Sequence, residues 1–237
     1  MTYTLDGKTV VVIGRPSGIA ATVIDRAVAA GGNVVAAGRD AEAIRAALGD
    51  SVRAETLDIT DDQSIRDFGA RVGQIDHLVT TASARARGKL SELTRTAILR
   101  SLDTKVVGPL MLASILGPSI SPNGSLTLFS GVAAFKPAIG YLGVALTNGA
   151  ADFLTRSLAL ELAPIRVNAI SPGVVDTGIW DNLGEAGKAT YFTFLRTHNP
   201  ARRIGTVEDI ADAVLFAMTN SFLTGVTLRI DGGEPLT

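Results

Sequence analysis

Five residues near the start of the chain have the types and spacing of a phosphate-binding turn. They follow the β-branched run 8–13 and are Gly14, Arg15, Ser17, Gly18 and Ile19. Glycines between a strand and a helix let the backbone approach a pyrophosphate, which then rests on the helix N-terminus. Glycine pairs also end strands for structural reasons, but a place in the first strand–helix turn favours dinucleotide binding.

The residues after the second apolar run carry charges that would determine the preference between NAD(H) and NADP(H). Run 33–37 is followed by Gly38, Arg39 and Asp40. A site for the free ribose hydroxyl of NAD(H) usually has a carboxylate here, whereas a guanidinium matches the 2′-phosphate of NADP(H). Arg39 comes first and Arg15 adds a second positive charge, so we expect NADP(H) to be favoured over NAD(H). Asp40 fits either a ribose contact or a helix N-cap, and a solvated surface role would also suit Arg39.

Composition excludes several other kinds of site. The chain has 22 Lys and Arg against 23 Asp and Glu, so its net charge of −1 argues against nucleic-acid or membrane-surface binding. It has no Cys and two His, which excludes thiolate chemistry and makes a metal site unexpected. We find neither an apolar run of membrane-spanning length nor a secretory signal, and therefore expect a soluble cytoplasmic protein.

Short apolar runs alternate with helical stretches along the whole chain. The pattern predicts strands at 8–13, 33–37, 52–57, 77–81, 125–129, 165–170 and 226–230. It predicts helices at 17–30, 40–48, 61–72, 92–116, 140–162 and 207–218. Such alternation is typical of a doubly wound, Rossmann-type α/β fold, here a parallel sheet of about seven strands with helices on both faces. We read 1–237 as one domain, with a polar insertion at 176–203 as a substrate lid.

Several motifs then occur in a familiar order. They are Gly14–Ala20, Asp58-Ile59, Thr80–Ser83, Leu154–Glu161, Ile165–Gly173, Thr177, Gly225 and Asp231–Gly233. Together they resemble the short-chain dehydrogenase/reductase family over nearly the whole chain, with Ala20 replacing the last glycine of the family's turn. The resemblance implies oxidoreduction of a small-molecule substrate and assembly into a homodimer or homotetramer through the helices 92–116 and 140–162.

The resemblance also implies further cofactor contacts. Asp58 and Ile59 match the pair beside the adenine, and Thr177 matches a threonine on the nicotinamide side. The other positions that it assigns to the cofactor are Ala82, Asn148, Pro172 and Val175. An amide at Asn148 could still hold ribose hydroxyls, although it cannot lower a neighbouring pKa as an ammonium does.

The departure from the family lies at its catalytic residues, which are Ser, Tyr and Lys, usually with Asn. None of the three tyrosines, Tyr3, Tyr141 and Tyr191, is followed four residues later by lysine. Alignment on 155–157 places Val144 at the tyrosine, Asn148 at the lysine, Gly131 at the serine and Lys105 at the asparagine position. General acid–base catalysis contributes about 10²–10⁴-fold, so its loss would slow a reduction without abolishing it.

Three residues are candidates to replace the missing catalytic groups. Tyr141 could point into the pocket, Lys105 could bring a cation, and Ser130 could orient a carbonyl. Each also has an ordinary role, in packing, ion pairing or strand-end hydrogen bonding. We therefore expect an atypical NADP(H)-dependent reductase of a carbonyl or similarly activated compound. The alternative is an inactive NADP(H)-binding sensor or regulatory partner.

The remaining histidines and aromatic residues leave their roles open. His77 is expected to be structural, and His198 to be a surface or capping residue. Trp180, Phe192 and Phe194 would either cover a substrate or anchor the insertion to the sheet.

Overall fold

One seven-stranded parallel sheet organises the molecule, as the sequence predicts. The structure is a computed structural model that describes residues 3–49 and 51–237. The strands run in the order β3-β2-β1-β4-β5-β6-β7, and each neighbouring pair is parallel. They are β1 (Thr9–Ile13), β2 (Asn33–Gly38), β3 (Arg53–Thr56), β4 (Ile75–Thr80), β5 (Ile120–Phe129), β6 (Arg166–Pro172) and β7 (Thr227–Ile230).

Helices cover both faces of the sheet and form two separate apolar cores. They are α1 (Gly18–Ala29), α2 (Ala41–Leu48), α3 (Asp62–Val72), α4 (Arg95–Leu102), α5 (Gly108–Leu116), α6 (Leu142–Glu161), α7 (Gly184–His198) and α8 (Val207–Thr219). Val10 and Val12 of β1 pack with α1 and α8, whereas Val11 and Ile13 pack with α3 and α5. Successive strand residues point to opposite faces, which is why the four consecutive residues 10–13 are all apolar.

The strand order reverses at β1, and this reversal places the candidate site. The chain moves outward from β1 to β3, then returns to add β4 on the other side of β1. In an open parallel sheet, a crevice forms where the two directions of winding diverge, at the carboxyl ends of the strands. The backbone N–H of Thr81, just after β4, donates to the carbonyl of Ile13 at the end of β1 (2.8 Å), so the two strand ends meet at this crevice.

The predicted helix 92–116 is interrupted in its middle. Helix α4 begins at Arg95, where Thr94 accepts a hydrogen bond from the backbone N–H of Ala97, and Asp103–Val107 form a π-helical turn before α5. Pro109 has no N–H to donate to the carbonyl of residue 105, which removes one α-helical hydrogen bond at this point. The turn carries Lys105, and π-helical turns are frequent at functional sites.

Segment 176–203 lies outside the sheet and is largely helical. It contains α7, whose Phe192 and Leu195 form a small buried cluster with Val174. Among the helices in the described ranges, none combines the length and apolar character that a bilayer span requires.

Candidate active site

The turn between β1 and α1 has the glycines and the uncapped helix N-terminus that a pyrophosphate site needs. A Cβ atom at Gly14 would lie 2.1 Å from Oγ1 of Thr81, and Gly18 has a φ of +56° that favours glycine. Ser17, at the N-cap of α1, makes no side-chain capping hydrogen bond, and the first turn of α1 has no acidic residue. The first N–H groups of α1 therefore remain available to an anion, and the residues present fit a dinucleotide phosphate.

At the end of β2, the two charged residues have different roles. Asp40 is the N-cap of α2, since its Oδ1 accepts a hydrogen bond from the backbone N–H of Ala43 (2.9 Å). Arg39 is exposed and pairs with no carboxylate among the described residues. Hydrogen bonds from Thr60, and then the positive charge of Arg39, lower the pKa of Asp58. Arg39 therefore faces the end of the sheet at which the resemblance places the adenosine.

The other residues assigned to the cofactor lie along the same edge. Ile59 is buried, and its carbonyl would be 2.9 Å from a Cβ atom at Gly108, so α5 approaches it closely. Ala82 follows β4, and Pro172 ends β6. Beyond β6, Val175 is buried, and the Cβ of Thr177 would be 3.3 Å from a Cβ atom at Gly18. The first and sixth strands thus contribute the two sides of one crevice.

A buried polar cluster lies at positions that the alignment on 155–157 assigns to the family's catalytic residues. We call Lys105, Ser130, Gly131 and Asn148 the lysine cluster. The Lys105 ammonium donates to the carbonyl of Ser130 (3.1 Å) and to the side-chain oxygen of Asn148. The Ser130 hydroxyl donates to the backbone carbonyl of Asn148 (2.9 Å), which uses its single proton. Val144, one turn before Asn148 on α6, is buried and apolar.

Burial without a charged partner changes the acidity of Lys105. Only 8% of the residue is exposed, and its two hydrogen-bond acceptors are neutral. Desolvation, together with the nearby charge of Arg85, lowers the pKa of Lys105 to about 7. A lysine with this pKa can exchange a proton near neutral pH, as a general acid or base must.

The glycine at the family's serine position makes room for the amide of Asn148. A Cβ atom at Gly131 would lie 2.7 Å from Nδ2 of Asn148, closer than packed atoms can approach. A serine at residue 131 therefore requires Asn148 to move. The residue types at 131 and 148 are sterically linked.

A cleft of about 700 Å³, which we call the aromatic cleft, lies between α7 and the loop that carries Arg87. Its walls are Arg87, Tyr141, Trp180, Leu183, Ala186, Gly187, Thr190, Tyr191 and Phe194. Tyr141 is the N-cap residue of α6, three residues before Val144 and seven before Asn148. Residues at these intervals share one helix face, so Tyr141 of the aromatic cleft lies on the same face of α6 as Val144 and Asn148.

The structure separates the roles that the sequence left open for the aromatic residues. Phe192 is buried and anchors α7, whereas Trp180 and Phe194 line the aromatic cleft. His198 is exposed and stacks on Phe194, with ring centroids 4.0 Å apart. His77 lies inside β4, which starts two residues earlier than predicted; it pairs with Ser125, and burial lowers its pKa to about 4.

Sequence reasoning missed Arg87. Its guanidinium carbon lies 5.2 Å from the ring centroid of Tyr141 and 5.5 Å from that of Trp180. The available signal was the pair Arg85 and Arg87, which comes directly after the motif Thr80–Ser83.

Comparison with known proteins identifies the family of this chain. The profile described as enoyl-(acyl carrier protein) reductase matches residues 13–234. A short-chain dehydrogenase/reductase of Stachybotrys chlorohalonatus is 33% identical over 249 residues, covering 97% of this chain and 98% of that protein. The chain therefore belongs to the short-chain dehydrogenase/reductase family.

Solved structures show the same fold. A small-chain dehydrogenase crystallised in complex with NADPH is 33% identical and superposes with a TM-score of 0.86, over 98% of this chain and 100% of that chain. The MalC reductase/Diels-Alderase of Malbranchea aurantiaca is 29% identical with a TM-score of 0.90, over 98% of each chain. The family's nucleotide-binding fold is thus present throughout.

Proposed function

We propose that this protein is an NADP(H)-dependent oxidoreductase that reduces a carbonyl or similarly activated small molecule without a Tyr-x-x-x-Lys pair. The observation that carries the proposal is the lysine cluster, a buried ammonium at the site where the family places its catalytic residues. When bound, the reduced nicotinamide would supply the hydride.

The preference for the phosphorylated cofactor is supported by charge. Arg39 and Arg15 are both exposed at the edge where the resemblance places the adenosine ribose, and Asp40 is engaged as a helix cap. A guanidinium binds a phosphate through paired, charge-assisted hydrogen bonds. The NADPH in the related small-chain dehydrogenase structure agrees with this preference.

A reduced carbonyl oxygen must also receive a proton, and Lys105 is the group we assign to this step. Its ammonium would give a proton to the developing alkoxide and remain as a neutral amine in the same buried site. Asn148 and the Ser130 carbonyl hold Lys105 in place. The hydroxyl of Tyr141 is the second candidate, because it lies in the aromatic cleft on the same face of α6.

The test measures NADPH consumption with a panel of ketones, quinones and imines. The reaction is then repeated with deuterated NADPH, and the mass of the product is measured. We expect slow turnover that places deuterium on the substrate carbon. Lys105→Met should lower kcat by about tenfold or more. Lys89→Met, at an exposed lysine outside the lining of the aromatic cleft, is the matched control and should leave kcat unchanged. Absence of turnover across the panel, with NADPH bound, would overturn the reductase assignment.

That result would favour the second candidate, an inactive NADP(H)-binding sensor or regulatory partner. The observation in its favour is Val144, which is buried and has no proton to donate at the tyrosine position. A sensor should change the protease sensitivity of segment 176–203 when NADPH binds, without any hydride transfer.

We further propose that the protein assembles as a homodimer or homotetramer. Large apolar side chains are exposed on two adjoining helical regions: Leu99, Val107, Leu110, Leu142, Leu146 and Phe153. Such a surface on a soluble protein is typical of an interface. The single-domain organisation of 1–237, with 176–203 as a lid, stays a prediction.

A further inference from the structure

The aromatic cleft combines flat apolar walls with one cation. Trp180 and Tyr191 pack with ring centroids 5.2 Å apart, and Arg87 lies over both Trp180 and Tyr141. Aromatic rings favour offset or edge-to-face contact with another ring. The walls therefore suit a planar ligand.

The charge of Arg87 is not neutralised by the part of the chain that the structure describes. No carboxylate oxygen there lies within 4.0 Å of its guanidinium, and its side chain donates no hydrogen bond. No residue in the lining of the cleft is acidic. Two acids before α7 are engaged elsewhere, since Asp176 and Asp181 both pair with Lys188 (2.8 and 2.7 Å).

The surroundings increase what this charge can contribute to binding. Arg85, two residues earlier in the same loop, adds a second guanidinium, whose pKa is lowered by burial and by the nearby charge of Arg87. Tyr191 is half-buried, and desolvation, followed by the influence of Tyr141 and Glu234, raises its pKa to about 12. Electrostatic attraction is stronger in such a setting than in water.

We propose that the aromatic cleft binds small aromatic carboxylates, with the carboxylate paired to Arg87 and the ring held by Tyr141, Trp180 and Tyr191. The proposal deepens the proposed function, on which it rests, by assigning the substrate class: an aromatic acid that also carries the reducible group. A planar guanidinium pairs with a carboxylate through two parallel hydrogen bonds, which fixes the orientation of the ring. Arg87 is then a specificity-determining residue.

The test uses the only tryptophan in the chain, Trp180, as a reporter of cleft occupancy. The full chain, with and without saturating NADP⁺, is titrated with benzoate, its neutral isostere benzamide, and acetate, by Trp180 fluorescence and by calorimetry. We expect benzoate to bind about tenfold or more tightly than benzamide, because a hydrogen bond between two charged groups is stronger than one to a neutral amide. Acetate should bind more weakly than benzoate, because it lacks the ring.

Arg87→Met should remove the preference for benzoate and leave benzamide binding within about twofold, while Arg87→Lys should keep part of it. Arg45→Met, at an exposed arginine on α2, is the matched control and should change neither ligand. Equal affinity for benzoate and benzamide, by both methods, would overturn the proposal, as would benzoate binding that Arg87→Met does not alter. Circular dichroism confirms that each variant is folded.

Failure here is distinguishable from failure of the proposed function. A protein that consumes NADPH with neutral carbonyls but does not distinguish benzoate from benzamide contradicts only the substrate class. A protein that prefers benzoate through Arg87 but never transfers hydride contradicts only the reductase assignment.

Discussion

Lys105 donates a hydrogen bond to the side-chain oxygen of Asn148 and so joins the π-helical turn to α6. The alignment on 155–157 predicts an amide at residue 105 and a lysine at residue 148, the reverse of what this chain has. We infer that the lysine–amide pair is exchanged between the two helices rather than lost.

Lys105→Asn and Asn148→Lys should each lower the unfolding free energy, and the double variant should recover part of that loss. Asn148→Lys places a second ammonium beside Lys105 and should cost about 3–5 kcal/mol of unfolding free energy. Lys105→Asn should cost about 1–3 kcal/mol, because it leaves buried acceptors unpaired. The double variant re-forms the pair and should be more stable than the sum predicts by at least about 1 kcal/mol. Urea denaturation measures all three, and strictly additive costs would contradict the inferred exchange.

Stability should depend on pH through Lys105. Burial lowers its pKa to about 7, against 10.5 for an unperturbed lysine. Between these values the unfolded chain binds more protons than the folded one, so the unfolding free energy should rise with pH, by up to about 1.4 kcal/mol per unit. Below about pH 7 both states are protonated and the full penalty of the buried charge is present. Urea denaturation of the wild type and of Lys105→Met between about pH 7 and 10.5 measures this dependence, and the variant should show a smaller rise in unfolding free energy. Equal rises in the two proteins would refute the role of Lys105.

Reversing the charge at residue 39 should separate the two cofactors. Arg39→Asp should weaken NADPH by about tenfold to a hundredfold in calorimetry, because a carboxylate then faces the 2′-phosphate. NADH, which has a free hydroxyl there, should lose far less. Arg45→Asp makes the same charge change on α2 and serves as the control. Equal losses for both cofactors would refute the role of Arg39.

A substitution at Asp40 tests whether its carboxylate only caps α2 or also contacts the cofactor ribose. Asp40→Ala removes the acceptor for the Ala43 N–H and should cost about 1 kcal/mol of unfolding free energy, with no weakening of NADPH or NADH. Asp61 caps α3 in the same way through Gln63, so Asp61→Ala should have a similar cost. Weaker NADH binding by Asp40→Ala alone would assign this carboxylate to the ribose.

The exposed apolar helices give a prediction about assembly. Phe153→Glu places a charge in the proposed interface and should shift sedimentation velocity toward the monomer, since a buried unpaired charge is costly. Phe222 is exposed but lies in the loop before β7, so Phe222→Glu should retain at least a dimer. A wild-type protein that sediments as a monomer would contradict the interface itself.

Local sequence was sufficient for most of the architecture. Residues 10–13 of β1 are all apolar because both faces of a central parallel strand are buried, and this composition is visible without a structure. The glycine turn, the caps at Asp40 and Asp61, and the end of α2 at Gly49 depend on neighbours within a few residues. The order of these signals predicted the sheet, and the motifs placed the cofactor edge.

The chemistry of the site depends on residues far apart in the chain. The π-helical turn was absent from the predicted helix 92–116, although Pro109 could have indicated a break. The pairing of Lys105 with Asn148 and the position of Arg87 over Trp180 join separate elements. No local pattern specifies which partner a buried lysine or a loop arginine finds.

The amino-acid sequence by itself determined the parallel fold, the phosphate turn and the charge at the end of β2, because hydrophobic periodicity, glycine conformation and capping act over a few residues. Only the tertiary structure decided that the Lys105 ammonium is desolvated and that Arg87 faces an aromatic cleft. Burial and electrostatic environment are properties of the packed molecule, since they arise when residues from distant segments exclude water together.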